Sequence, residues 1–311
     1  MLNGVAFLFP GQGSQRVGMG KDLYEGFPEV REVFDLAEDT LKFPLKELCF
    51  EGPIEALTQT ENAQPALLTV QAAIMRLIPE LPSVMAGHSL GEYSAYVASQ
   101  ALSFQDALRV VRKRGELMAE VARARMGGML AVIGPELREV QERLKEVREG
   151  VAEVANLNLP TQVVISGDSL GLKAAEESLR EIGKVVWLNV SAPFHCSLMS
   201  GVEVCLKDAI LALNWQPPRV PVYRNLDASQ VVDIESAKEG LVLQVASPVH
   251  WFETIERMLQ GGIETFVEIG PSRVLAGMLR RLAKGKGIIS IGDAQTLERG
   301  LRSLGLVQAG H

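Results

Sequence analysis

The chain has 311 residues, 47% hydrophobic and 22% charged, enough to bury a large core in one domain or in one domain carrying an insertion. Its formal net charge of −7 argues against nonspecific nucleic-acid binding, which needs a basic face. Cys49, Cys196 and Cys205 form neither a disulfide framework nor a C-x-x-C metal pair, the start has no secretory pattern and no apolar run reaches spanning length, so a cytoplasmic protein with no membrane segment and no metal is expected.

In chain order, Val5–Phe9 is an apolar run that stops at Pro10-Gly11 and reads as a buried strand. The loop Gly11-Gln12-Gly13-Ser14-Gln15 follows it. A dinucleotide fingerprint would need glycine where Arg16 stands, and the Walker pattern fails because Gly20-Lys21 is followed by Asp22. The loop is left as backbone able to approach something bound at the strand ends. Pro28–Leu41 and Gln64–Ile78 carry helical spacing, Val84–Ala86 is a second strand, and helices are predicted over Leu90–Val97 and Phe104–Val121. From about Gly127 to Asn189 the predicted order is strand 129–133, helix 136–147, strands 151–155 and 162–166, helix 170–182 and strand 185–189. That β-α-β-β-α-β order describes a ferredoxin-like unit. The body resumes near Leu198, with strands around Val220–Tyr223, Thr265–Ile269 and Ile288–Ile291. The fold class expected is α/β: a large α/β-hydrolase-like domain with a parallel sheet over 1–125 and 198–311, and a small inserted ferredoxin-like α+β subdomain over 126–197.

Gly87-His88-Ser89-Leu90-Gly91 fits G-x-S-x-G between a strand and a helix, the setting in which serine is presented on a sharp turn with the next backbone N–H aimed at an oxyanion. Ser89 is the candidate nucleophile, the N–H of Leu90 an oxyanion donor and the N–H of Gln12 its complement. A serine hydroxyl needs a base, and there are four histidines. His311 is the last residue, and His88 adjoins the nucleophile on the strand, so its ring should point to the other side of the turn. His195 lies on a loop at the exit of the small unit and is favoured by position over His250, which sits at a predicted helix start. Arg114, on a predicted helix with Arg109, Arg112 and Lys113, reads by itself as one more solvated cation. So do Arg280, Arg281, Lys284 and Lys286 at another helix end. Asp168 falls in the interval where a serine hydrolase would carry its triad acid, although in a predicted turn.

Six segments taken in order resemble the bacterial malonyl-CoA:acyl carrier protein transacylase family over nearly the whole chain: 9–15, 87–92, Arg114-Gly115-Glu116-Leu117-Met118, Asn156-Leu157-Asn158, Ser191-Ala192-Pro193-Phe194-His195, and Gln244 with Ser247-Pro248-Val249. The resemblance implies Ser89 as nucleophile, His195 as base oriented by the main-chain carbonyl of Gln244, and Gln12 and Leu90 as oxyanion donors. It further implies that Arg114 pairs with the free malonyl carboxylate, a role suited to a planar guanidinium. Met118 would lie beside the acyl pocket and Asn156 and Asn158 near the pantetheine arm, with His88 and Phe194 also among the substrate-binding residues. Leu90 and Phe194 accompany malonyl choice in related domains. The activity implied is ping-pong transfer of malonyl from malonyl-CoA to the phosphopantetheine thiol of acyl carrier protein, through a malonyl ester of Ser89, for fatty acid synthesis. No cofactor is implied, and the basic cluster at Arg280 to Lys286 becomes a candidate dock for the acidic carrier.

Overall fold

The computed structural model describes residues 1–124, 126–190, 192–231 and 233–307; Ser191 and His311 lie outside the described residues. Among the described residues there are ten strands: β1 (Leu2–Phe9), β2 (Pro82–Gly87), β3 (Gly127–Ile133), β4 (Ala152–Leu159), β5 (Gln162–Asp168), β6 (Lys184–Trp187), β7 (Val222–Tyr223), β8 (Gln230–Val231), β9 (Thr265–Ile269) and β10 (Gly287–Ile291). They form a six-stranded sheet in the order β10-β9-β1-β2-β7-β8 and a four-stranded sheet in the order β4-β5-β3-β6. The chain is an α/β protein.

In the larger sheet β10, β9, β1, β2 and β7 run parallel. The parallel sheet expected is present, with one addition at its edge: β8 turns back antiparallel to β7, so the sheet is mixed. The central strand β1 is buried without break from Val5 to Phe9, because helices cover both faces of the sheet. The second sheet is antiparallel throughout, with β3 between β5 and β6. Its helices, Leu137–Leu144 and Ser169–Arg180, bury Val140, Leu172, Ala175 and Leu179 against Leu130, Val132, Val163 and Ile165. Outside either sheet's ladder, Asn156 of β4 bridges Val249 in the segment before the helix Trp251–Gln260, with Leu157 N–H donating to the Val249 carbonyl at 2.9 Å.

Parallel strands place their C-terminal ends on one edge, where sites assemble. Here β1 delivers the loop from Pro10 to Gln15 and β2 delivers Ser89 to that same edge.

Candidate active site

Ser89 holds φ of 53°, a left-handed conformation unusual for serine, between β2 and the helix Gly91–Ala98. The flanking glycines make this turn possible. A Cβ on Gly87 would sit 1.8 Å from the carbonyl carbon of Gly91, and one on Gly91 would sit 1.9 Å from the Phe9 carbonyl oxygen. The strained turn is braced from a distance: Asn225 Oδ1 accepts from the Ser89 N–H at 2.7 Å, and its Nδ2 donates to the Gly87 carbonyl at 2.7 Å.

The Ser89 hydroxyl lies 2.7 Å from Nε2 of His195. Nδ1 of His195 meets the main-chain carbonyl of Gln244 at 3.0 Å, so this ring nitrogen carries the proton and Nε2 is free to accept one from serine. Burial, and then the positive charge of Arg114, lower the His195 pKa to about 3, leaving the imidazole neutral. His195 has φ of 59°, so both members of the Ser89–His195 pair are held in strained backbone.

Arg114 reverses its reading as a solvated cation. It is 1% exposed, although the helix Phe104–Ala124 carries other cations at its surface. Nη1 donates to Gln64 Oε1 at 2.8 Å, while Nη2 donates to Gln244 Oε1 at 3.0 Å and to Ser89 Oγ at 3.2 Å. Its Nε is buried with no acceptor, and the guanidinium stands 5.7 Å from the Tyr93 ring centroid. Among the described residues no carboxylate forms an ion pair with it. A buried, unneutralised guanidinium is costly unless something else supplies the anion.

Ser89, His195 and Arg114 line one cavity of about 950 Å³, together with Gln12, Leu90, Met118, Asn156, Asn158 and Phe194. The backbone N–H groups of Gln12 and Leu90 have no hydrogen-bond acceptor among the described residues. Gln12 is fixed through its side chain, whose Oε1 accepts from Thr60 Oγ1 at 2.6 Å; Thr60 Oγ1 in turn accepts from Gln64 at 3.1 Å. Gln64 also donates to the sulfur of Met118 at 3.4 Å, so the N-terminal loop, the Arg114 anchor and Met118 share one polar chain. His88 turns away from the serine: its Nε2 meets Asn158 Oδ1 at 2.9 Å, and its ring packs near Trp251.

The other candidates lie elsewhere. His250 pairs with Glu253 at the start of the helix Trp251–Gln260. Asp168 caps the helix Ser169–Arg180, accepting from Gly171 N–H at 2.8 Å, and the nitrogen of His195 that a triad acid would hold is occupied by Gln244. In the basic cluster, Lys286 is paired with Glu264 and Arg281 reaches Gln162, whereas Arg280 lines a shallow cavity of about 270 Å³ with Arg273 and Arg299. Three residues of the site carry no role in the sequence reading: Asn225, Gln64 and Glu92, the last with no exposed surface and accepting from Gln244 Nε2 at 2.7 Å. Among the described residues no group of three or more His, Cys, Asp and Glu could hold a metal ion, and no helix is long and apolar enough to cross a membrane.

A strained serine, a neutral histidine fixed by a carbonyl and two unengaged N–H groups form the constellation of acyl transfer. The acyl transferase domain family matches residues 6–302. This chain belongs to that family. A malonyl CoA-acyl carrier protein transacylase of Bacillus subtilis (strain 168) is 42% identical over 310 residues, covering 97% of this chain and 98% of the relative. Among solved structures, an acyl carrier protein S-malonyltransferase from Vibrio cholerae superposes with a TM-score of 0.92 at 37% identity, covering 95% of this chain and 99% of that one. A malonyl-transacylase in complex with a type II polyketide acyl-carrier protein superposes with a TM-score of 0.93 at 36% identity, covering 96% and 99%. The acyltransferase is therefore similar to these enzymes across its length.

Proposed function

We propose that the chain transfers malonyl from malonyl-CoA to the phosphopantetheine thiol of acyl carrier protein by a ping-pong route through a malonyl ester of Ser89, supplying the extender unit for fatty acid synthesis in the cytoplasm. The observation that carries the reading is Arg114, a buried guanidinium without a carboxylate partner among the described residues, 3.2 Å from the Ser89 hydroxyl. A distal carboxylate on the acyl group supplies the missing anion, and the planar fork can hold it in two-point fashion.

His195 takes the proton from Ser89 Oγ as the oxygen attacks the thioester carbonyl, and the N–H groups of Gln12 and Leu90 hold the resulting oxyanion. The tetrahedral intermediate collapses with loss of the coenzyme A thiolate, which takes the proton from His195. In the second half the carrier thiol gives its proton to His195, attacks the serine ester and leaves with malonyl, returning Ser89 to the hydroxyl. Gln244 orients the base, Met118 and Phe194 bound the acyl pocket, and Asn156 and Asn158 face the pantetheine arm, Asn158 held by His88. The chemistry needs no cofactor, since each ester replaces another of similar energy.

The same reading divides the chain into a large α/β-hydrolase-like domain, 1–125 and 198–311, and a ferredoxin-like subdomain, 126–197. It is supported by the strand order β4-β5-β3-β6 within the β-α-β-β-α-β sequence. Transfer is tested by supplying malonyl-CoA and holo carrier together. Malonyl-carrier is the expected product; free malonate as the main product would make the protein a hydrolase, no turnover by the wild type would make it a noncatalytic component, and full activity in Ser89→Ala would exclude the ester on Ser89.

A further inference from the structure

Glu92 lies in the first turn of the helix Gly91–Ala98 with no exposed surface and no cation paired to it among the described residues. An acid at that place ordinarily complements its own helix dipole. Glu92 instead reaches across the site. Oε2 accepts from the Asn225 N–H at 3.0 Å and from Gln244 Nε2 at 2.7 Å, and Oε1 faces the Tyr96 hydroxyl at 3.4 Å.

The Gln244 amide has one accepting end and one donating end. Its oxygen accepts from Arg114, and its nitrogen donates to Glu92 and to the Ser89 carbonyl at 2.9 Å. Turned over, it would set two donors against a guanidinium and an oxygen against two acceptors. We propose that Glu92 is a positioning residue for acyl selectivity: by accepting from Gln244 it fixes that amide with its oxygen toward Arg114, and so keeps the guanidinium aimed at the distal carboxylate of the acyl group. This rests on Arg114 reading that carboxylate. Arg114 depends on the arrangement because its remaining fixed hydrogen-bond acceptor, apart from the reacting serine oxygen, is Gln64.

The acceptor position, rather than the charge, performs this task. Burial pushes the Glu92 carboxyl up to about 7, so the neutral acid is already accessible near neutrality, and it accepts from Asn225 and Gln244 just as the carboxylate does. Glutamine can place its oxygen at the Oε2 position and preserve both bonds without charge. Aspartate keeps the charge but withdraws the oxygen by one methylene.

The test is the ratio of kcat/KM for malonyl-CoA to that for acetyl-CoA in the full-length enzyme, a ratio that a smaller folded fraction does not change. Glu92→Asp and Glu92→Leu should lower it roughly fivefold or more, the loss expected for one buried hydrogen bond. Glu92→Gln should keep it within about twofold, by the same arithmetic. An unchanged ratio in Glu92→Asp, or a collapse in Glu92→Gln with Glu92→Asp unaffected, overturns the proposal; this pair decides even where Glu92→Leu does not fold. Arg114→Ala in the same assay separates the two claims. If it leaves the ratio unchanged, the reading of Arg114 has failed; if it lowers the ratio while the Glu92 variants do not, only the role of Glu92 has.

Discussion

The carbonyl oxygen of Gln244 stands 3.0 Å from Nδ1 of His195, the position that an aspartate or glutamate takes in a serine triad. A carbonyl fixes the tautomer as an acid would, but it adds no negative charge to stabilise an imidazolium. With Arg114 close by, His195 stays neutral, and its Nε2 faces the Ser89 hydroxyl at 2.7 Å.

That neutrality sets a pH dependence. The folded pKa of His195 lies near 3, depressed from the ordinary 6.5 first by burial and then by Arg114. The free-enzyme profile of kcat/KM for malonyl-CoA should stay flat as pH falls through 6.5 and decline only well below it. The linked stability has the same sign: above 6.5 the histidine contribution is fully present, and it is lost as pH falls toward 3, because only the unfolded chain takes up the proton over that interval. An acid limb of kcat/KM at 6.5 assigned to His195 contradicts this.

Arg114→Ala should lower kcat/KM for malonyl-CoA by roughly 10²-fold, the scale of about 2–5 kcal/mol for breaking a buried charge pair, and should favour acetyl-CoA in relative terms. Steady-state kinetics with both thioesters check it; equal losses on both would make Arg114 structural.

Asn225→Ala removes both side-chain bonds that hold the Ser89 turn at positive φ. Buried bonds of this kind are worth about 1 kcal/mol each, more where a partner is left unsatisfied. The variant should lose about 2 kcal/mol of stability in denaturant melts, and kcat should fall roughly tenfold with the acetyl-to-malonyl ratio unchanged, since Arg114 is untouched. A wild-type kcat would show that the brace is dispensable.

The helix Val274–Leu282 contributes Val274, Leu275 and Met278 to the active-site cavity, and Arg280 with the preceding Arg273 to the neighbouring shallow one. An acidic carrier docked on those arginines would stand beside the entrance. Charge reversal at Arg280 and Lys284 should raise KM for the carrier and flatten its salt dependence, leaving KM for malonyl-CoA unchanged. An unchanged salt dependence removes this face as the dock.

Much of the candidate site's geometry was legible in the sequence because its signals are local. Two glycines around a serine specify a turn, and four histidines leave few bases to choose from. Arg114 and the Gln244 carbonyl came through resemblance, since neither helical spacing nor composition distinguishes a buried arginine from a solvated one. Asn225 is 136 residues from the serine it braces, and no local pattern joins them. A polar residue just past a short strand at the carboxyl edge of the sheet was the available signal. Gln64 could have been noticed as an amide on the apolar face of its helix, and Glu92 was masked by the ordinary place of acids in a first helical turn. The strands β7 and β8 are two residues each, too short for any periodicity, which is why the antiparallel edge went unforeseen.

The central claim is the ester on Ser89, and intact-protein mass spectrometry after brief exposure to malonyl-CoA, without carrier, tests it most directly. Wild type should gain the mass of one malonyl group, lose it when holo carrier is added, and show no gain in Ser89→Ala. A malonyl adduct persisting in Ser89→Ala, or no adduct in a wild-type enzyme that still turns over, would contradict the account.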